Sequence, residues 1–144
     1  MPDPANQPPI PPKGEQTLAL DWDRARTAQE DILAAAKHQG FAESSLFAVR
    51  LALEEAVANA YKHGNKEHPD KTVTIAWDIT PHTITISIED QGDGFDPNTL
   101  PDPTSPEYIE RPHGRGVMLI RAYMTSVHYE NHGRKLIMQY TKPA

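Results

Sequence analysis

Hydrophobic and polar residues alternate most regularly in the middle of the chain. Val73, Ile75, Trp77 and Ile79 share one parity of the segment 72–80, and Ile84, Ile86 and Ile88 share one parity of 83–90. This is the two-residue period of strands with one buried face. Pro81-His82 between them predicts a tight turn, hence a hairpin. Upstream the period changes. Residues 23–38 are strong helix formers, and Gly40 follows where a left-handed residue would end the segment. A second helix is predicted from Ser44 or Ser45, as N-cap, to Gly64, because Leu46, Val49, Leu53, Val57 and Ala60 recur along one helical face. Leu18, Leu20 and Trp22 alternate weakly and predict a first strand over 15–22 at a sheet edge. Near the other end, Gly114-Arg115-Gly116 opens a third helix over 117–124. Strands at 126–130 and 134–141 then turn back at Asn131-His132-Gly133.

The predicted order is strand, two helices, two strands, a long loop, a helix and two strands. Consecutive strands joined by short turns favour an α+β fold. It reads as a two-layer α/β sandwich, a mixed, mostly antiparallel sheet with three helices on one face.

Composition adds a tail and a loop to this picture. Of 14 prolines in 144 residues, six fall within 2–12 and five within 97–112. Residues 1–14 are expected to form a disordered Pro-rich tail ahead of one domain over 15–144, and residues 95–113 a lid loop. Cysteine is absent, which excludes a disulfide framework, thiolate metal ligands and a cysteine nucleophile. No apolar run approaches membrane-spanning length and the N-terminus has no signal-peptide pattern, so a cytoplasmic protein without membrane contact is expected. The 14 Lys and Arg against 20 Asp and Glu, a net charge of −6, argue against direct nucleic-acid binding.

Three places break the hydrophobic pattern in a chemically suggestive way. Glu55, Asn59 and Lys62 lie on one face of the second helix, away from its apolar stripe. That face is either simply solvated or a carboxylate base beside a neutral oxygen ligand suited to Mg²⁺. Glu54, turned ~100° from Glu55, is read as structural. Asp90 continues the parity of the buried isoleucines, so its carboxylate points to the apolar side and needs a donor. It either caps the turn Gln91-Gly92-Asp93-Gly94 or accepts from a ligand amino group that the two glycines let approach. Gly114-x-Gly116 at a helix start, with Arg111 and Arg115 beside it, is a candidate phosphate cradle. The seven histidines fit no zinc-binding spacing, and there is neither a P-loop nor a G-x-S-x-G elbow.

In this order the motifs resemble those of the GHKL (Bergerat-fold) ATPases, in the version found in anti-sigma-factor serine/threonine kinases. Leu53–Asn65 resembles the N box, Ile88–Phe95 the D-x-G-x-G box and Gly114–Ile120 the second glycine box. The resemblance covers roughly residues 15–142. It implies ATP and Mg²⁺ as cofactors, with Asn59 as the metal ligand and Glu55 as the base for a protein hydroxyl. It also implies Asp90 as the acceptor for the adenine amino group, Gly92 and Gly94 as room for the base, and Gly114 and Gly116 as the phosphate cradle. Lys62, His63, Arg111 and Arg115 are further phosphate candidates. The implied partners are a sigma factor and a phosphorylated STAS-domain antagonist, and homodimerisation is a family expectation. The alternative is an ATP-binding module that sequesters a partner without phosphotransfer; it needs Asn59 and Asp90 but not Glu55.

Overall fold

The computed structural model describes residues 10–94 and 119–143. Strand β1 (Lys13–Leu18) is followed by helices α1 (Trp22–His38) and α2 (Glu43–Asn59), a π-helical turn (Ala60–Gly64), and strands β2 (Val73–Ile79), β3 (Thr83–Glu89), β4 (Ser126–Glu130) and β5 (Lys135–Thr141). A short third helical stretch covers residues 119–123. The strands form one sheet in the order β1-β2-β3-β5-β4, and every pairing is antiparallel.

One face of this sheet makes the core. Val73, Ile75, Trp77 and Ile79 of β2, Ile84, Ile86 and Ile88 of β3, and Leu136 and Met138 of β5 are buried. They share a single cluster with Ile32 and Leu33 of α1, Val49, Leu53 and Val57 of α2, and Ile120. The register sets Ile75 opposite Ile88, Trp77 opposite Ile86 and Ile86 opposite Met138, so inward side chains meet across the strands. Each such side chain, fully buried, stabilises the fold by about 1.5–3 kcal/mol. The three helices therefore cover one face, as the alternation predicts, and the other face stays polar.

The N-terminal edge differs from the expectation. β1 starts at Lys13 and ends at Leu18, not over 15–22, and Trp22 opens α1 instead. Asp21 decides this boundary: its Oδ1 accepts from the amides of Asp23 and Arg24, both at 3.1 Å, the side-chain cap that starts a helix. Residues 11–14, expected to lie in the tail, are instead tied to β2. The Pro12 carbonyl accepts from the Ile79 amide at 2.7 Å and the Pro11 carbonyl from Trp77 Nε1 at 2.9 Å. Gly14 faces Trp77, and a Cβ there would lie 2.9 Å from its ring, so glycine makes room for the indole.

At the start of α2 the cap is Ala42, whose side chain offers no hydrogen bond, rather than Ser44 or Ser45. Ser45 is buried and its hydroxyl meets the Tyr140 hydroxyl at 2.7 Å, a tertiary contact invisible in local sequence. Arg50 of α2 and Glu30 of α1 form a two-pronged ion pair on the surface. Gly40 adopts φ +96, the left-handed residue expected after α1. None of the helices described here is long and apolar enough to cross a membrane.

Candidate functional site

α2 delivers the first group of site residues. With Leu53 and Val57 fully buried against the sheet, the helix turns Glu54 into solvent and leaves Glu55 and Asn59 half-buried at the flank. Glu55 and Asn59 thus occupy the rim of the α2–sheet layer rather than a fully solvated face. That is where a carboxylate and an amide can reach a ligand while keeping ordinary side-chain hydration.

Beyond Asn59 the helix widens. The Asn65 amide donates to the Ala60 carbonyl, five residues back, at 2.8 Å, and the Glu67 amide to Tyr61 at 2.7 Å. Such π turns interrupt a helix at a cost and are frequent at functional sites. Tyr61 anchors this one: its buried hydroxyl donates to the Ala19 carbonyl at 2.7 Å, and its ring meets Trp22 edge-on at 4.9 Å. Burial raises the Tyr61 pKa above its ordinary value. Lys62 is exposed, with its ammonium 5.8 Å from the centre of the Trp22 ring. His63 is also exposed, on the same turn.

The π turn ends against Asp90. A Cβ on Gly64 would overlap the Asp90 carboxylate, and a Cβ on Gly92 would overlap the Gly64 carbonyl. Two glycines from segments far apart in sequence therefore let the end of α2 lie directly on the loop after β3. Asp90 Oδ1 accepts from the Gly92 amide at 2.8 Å, the turn cap read from sequence. Oδ2 takes no hydrogen bond from the described residues, so it can accept one more donor. Burial pushes the Asp90 carboxyl above its ordinary pKa; Glu89 adds to this, while the Gly92 N–H and the Arg134 and Lys71 cations oppose it. A half-buried carboxylate with one oxygen committed and the other without a hydrogen bond from the described residues suits an amino donor. Gly94 has φ +77 and abuts the His132 carbonyl.

Two residues that hold this arrangement are not singled out by the sequence reading. Asn65 is buried to 1% exposure; its Oδ1 accepts from the Gln91 amide at 2.7 Å and its Nδ2 donates to Thr72 at 3.0 Å. The Gln91 side chain returns the connection, accepting from the Thr72 amide at 2.7 Å. Arg134 donates from Nε to the Gly92 carbonyl at 2.6 Å and from Nη2 to the Asp93 carbonyl at 3.1 Å. After Gly64, Asn65 reads as an ordinary helix terminator, and Arg134 as the first residue of a surface strand.

The structure thus brings Asp90, Gly92 and Gly94 together with the C-terminal end of the helix that carries Glu55 and Asn59. Lys62 is turned toward Trp22. Arg111, Gly114, Arg115, Gly116 and the lid over 95–113 lie outside the described residues. Among the described residues no three His, Asp or Glu side chains are grouped to hold a metal ion. An Mg²⁺ ion held by Asn59 would take its remaining ligands from phosphate and water, which suits this ion's habits. A groove of about 410 Å³, lined by Lys13, Asp78, Thr85 and Lys135 among others, opens on the polar sheet face and contains none of the candidate residues.

Comparison with known proteins shows the family. Residues 18–140 match the family model described as the histidine kinase-like ATPase domain. The chain is 30% identical over 109 residues to a serine-protein kinase RsbW of Oceanobacillus iheyensis, covering 72% of this chain and 69% of the relative. It is 29% identical over 130 residues to an anti-sigma F factor of Clostridium perfringens, covering 76% and 91%. A serine-protein kinase RsbW of Listeria innocua is 26% identical over 110 residues. The chain belongs to the histidine kinase-like (GHKL) ATPase family, in its anti-sigma-factor kinase branch.

Proposed function

We propose that this protein is a cytoplasmic Mg-ATP-dependent serine/threonine kinase that binds a sigma factor and phosphorylates a STAS-domain antagonist. The observation that carries the reading is the Asp90 carboxylate, whose Oδ2 takes no hydrogen bond from the described residues, held on a two-glycine loop against the end of the helix bearing Glu55 and Asn59. Asp90 accepts the adenine amino group, and Gly92, having no side chain, lets the Gly64 carbonyl at the end of α2 lie against the loop that carries Asp90. Asn59 would hold a magnesium ion through its amide oxygen, and that ion would supply neutralisation of phosphate charge. Glu55, one helical turn before Asn59, accepts the proton of the serine or threonine hydroxyl. The hydroxyl oxygen forms a bond to the γ-phosphorus as the bond to the ADP oxygen breaks, so phosphate passes to the protein and ADP leaves. Such transfer demands positioning and charge neutralisation more than covalent help from the protein. Gly114 and Gly116, with Arg111 and Arg115, serve the phosphates in this reading, with His63 and Lys62 as auxiliary contacts. The relatives' names, serine-protein kinase and anti-sigma F factor, support both the chemistry and the partner class.

The test is phosphorylation of a STAS-domain protein encoded in the same genome, followed with radiolabelled ATP. Wild type transfers label; Glu55→Ala binds MgATP as wild type does and loses transfer by at least about a hundredfold. Transfer retained by Glu55→Ala would refute its role as base. MgATP binding by the wild type without transfer to any STAS protein would leave the sequestering module in place of the kinase.

A further inference from the structure

The loop Asp90–Gly94 contains two glycines and no large apolar side chain, so it has little of its own to hold its shape. On one side Asn65 and the Gly64 backbone fix it. We propose that Arg134, on the turn between β4 and β5, is a positioning residue of the nucleotide site, fixing this loop from the other side. The proposal rests on the nucleotide reading given above.

The guanidinium spans two successive carbonyls of the loop, Nε to Gly92 at 2.6 Å and Nη2 to Asp93 at 3.1 Å. Nη1 reaches back to the Asn131 carbonyl at 3.4 Å, so the head group is tied to its own turn. The Arg134 backbone takes part as well, its carbonyl accepting from the Asp90 amide at 2.9 Å. The turn beneath is unusual: Asn131, His132 and Gly133 all have positive φ, at 51, 55 and 79. Asn131 Nδ2 also donates to Glu89 at 2.9 Å, and the His132 carbonyl packs on Gly94. Every glycine of the loop thus touches this turn or a residue on it. A planar fork holds its donors in fixed directions that match two adjacent carbonyls, whereas an ammonium on a flexible stem presents a point charge without that fixed geometry.

A second consequence is electrostatic. The charged groups acting on Asp90 are Arg134 from the β4–β5 turn, Lys71 from the segment before β2 and Glu89 from β3 itself. Asp93, on the loop, is paired with Lys66 at 3.4 Å. Arg134 therefore helps keep Asp90 ionised and able to accept from an amino group, besides holding the backbone that carries it.

The experiment compares wild type, Arg134→Lys and Arg134→Met. MgATP affinity is measured by calorimetry between about pH 4 and 8, and the Asp90 carboxyl is titrated by carbon NMR in the nucleotide-free protein. Arg134→Met is expected to bind MgATP about tenfold more weakly, the size expected for losing hydrogen bonds from a charged donor. Its Asp90 should titrate at higher pH than in the wild type. Arg134→Lys should restore the Asp90 midpoint but not the affinity, a split that general loss of stability would not produce. Wild-type affinity and an unchanged Asp90 midpoint in Arg134→Met would overturn the proposal. If the wild type itself binds no MgATP, the nucleotide reading falls and the site role of Arg134 with it. A shifted Asp90 midpoint in the free protein would then identify Arg134 as a purely structural strut.

Discussion

The Gln91 amide donates to Oδ1 of Asn65 at 2.7 Å, joining the end of the α2 helix to the loop that follows β3. Asn65 is among the most buried polar side chains described, and both ends of its amide are used. Replacing it by Ala leaves the Gln91 N–H and the Thr72 carbonyl without these partners at a part-buried junction. Asn65→Ala should lose about 2–4 kcal/mol of stability, read as a lower urea midpoint with an unchanged slope. A variant as stable as wild type would mean that water replaces the amide at no cost.

Gly64 gives a sharper contrast between site and scaffold. Its φ is not in the left-handed region, so a Cβ is unwelcome only because it would overlap the Asp90 carboxylate. Gly40 is the opposite case, strained by its φ of +96 but open to a Cβ apart from the Lys142 ammonium at 3.6 Å. Gly64→Ala should weaken MgATP binding by about tenfold or more by displacing Asp90, whereas Gly40→Ala should cost about 1 kcal/mol of stability and leave affinity unchanged. Equal affinities in the two variants would remove Gly64 from the site.

The main elements were legible because their signals are periodic. The isoleucine parity of β2 and β3 survives intact as the buried face, and α2 turns the predicted stripe to the core. Asp90 was visible for the same reason, a carboxylate on an apolar parity. What escaped depends on contacts between distant segments. The π turn exists because Tyr61 reaches Ala19 and Gly64 must meet Asp90, and no local pattern specifies it. Ser45 looked like a cap, but Tyr140 takes its hydroxyl. Asn65 and Arg134 have ordinary local neighbours. The one available signal was Asp21, an N-cap residue type directly before Trp22, which marks the true start of α1.

Asp90 makes stability depend on pH in a defined sense. Burial raises its folded pKa above the unfolded value, so the folded state binds its proton more tightly. The stability associated with that proton is full below the unfolded value, near ~3.9, and is lost as pH rises through the folded value. Asn at position 90 has no such loss. Without nucleotide, the melting temperature of Asp90→Asn relative to wild type should rise as pH increases from about 4 and level off above the Asp90 midpoint. A difference that is flat, or that falls with pH, would mean that Asp90 is not desolvated in the folded protein.

The same substitution bears on function in the opposite direction. An amide at position 90 keeps an oxygen for the Gly92 N–H but turns an N–H₂ toward the ligand, where a donor already waits. The most direct test of the account is therefore a calorimetric titration of MgATP into wild type, Asp90→Asn and Asn59→Ala. The account predicts binding by the wild type, loss of binding with Asp90→Asn despite a stable fold, and binding by Asn59→Ala that is weakened only when magnesium is present. Wild-type affinity in Asp90→Asn, or no binding by the wild type at millimolar MgATP, would contradict it.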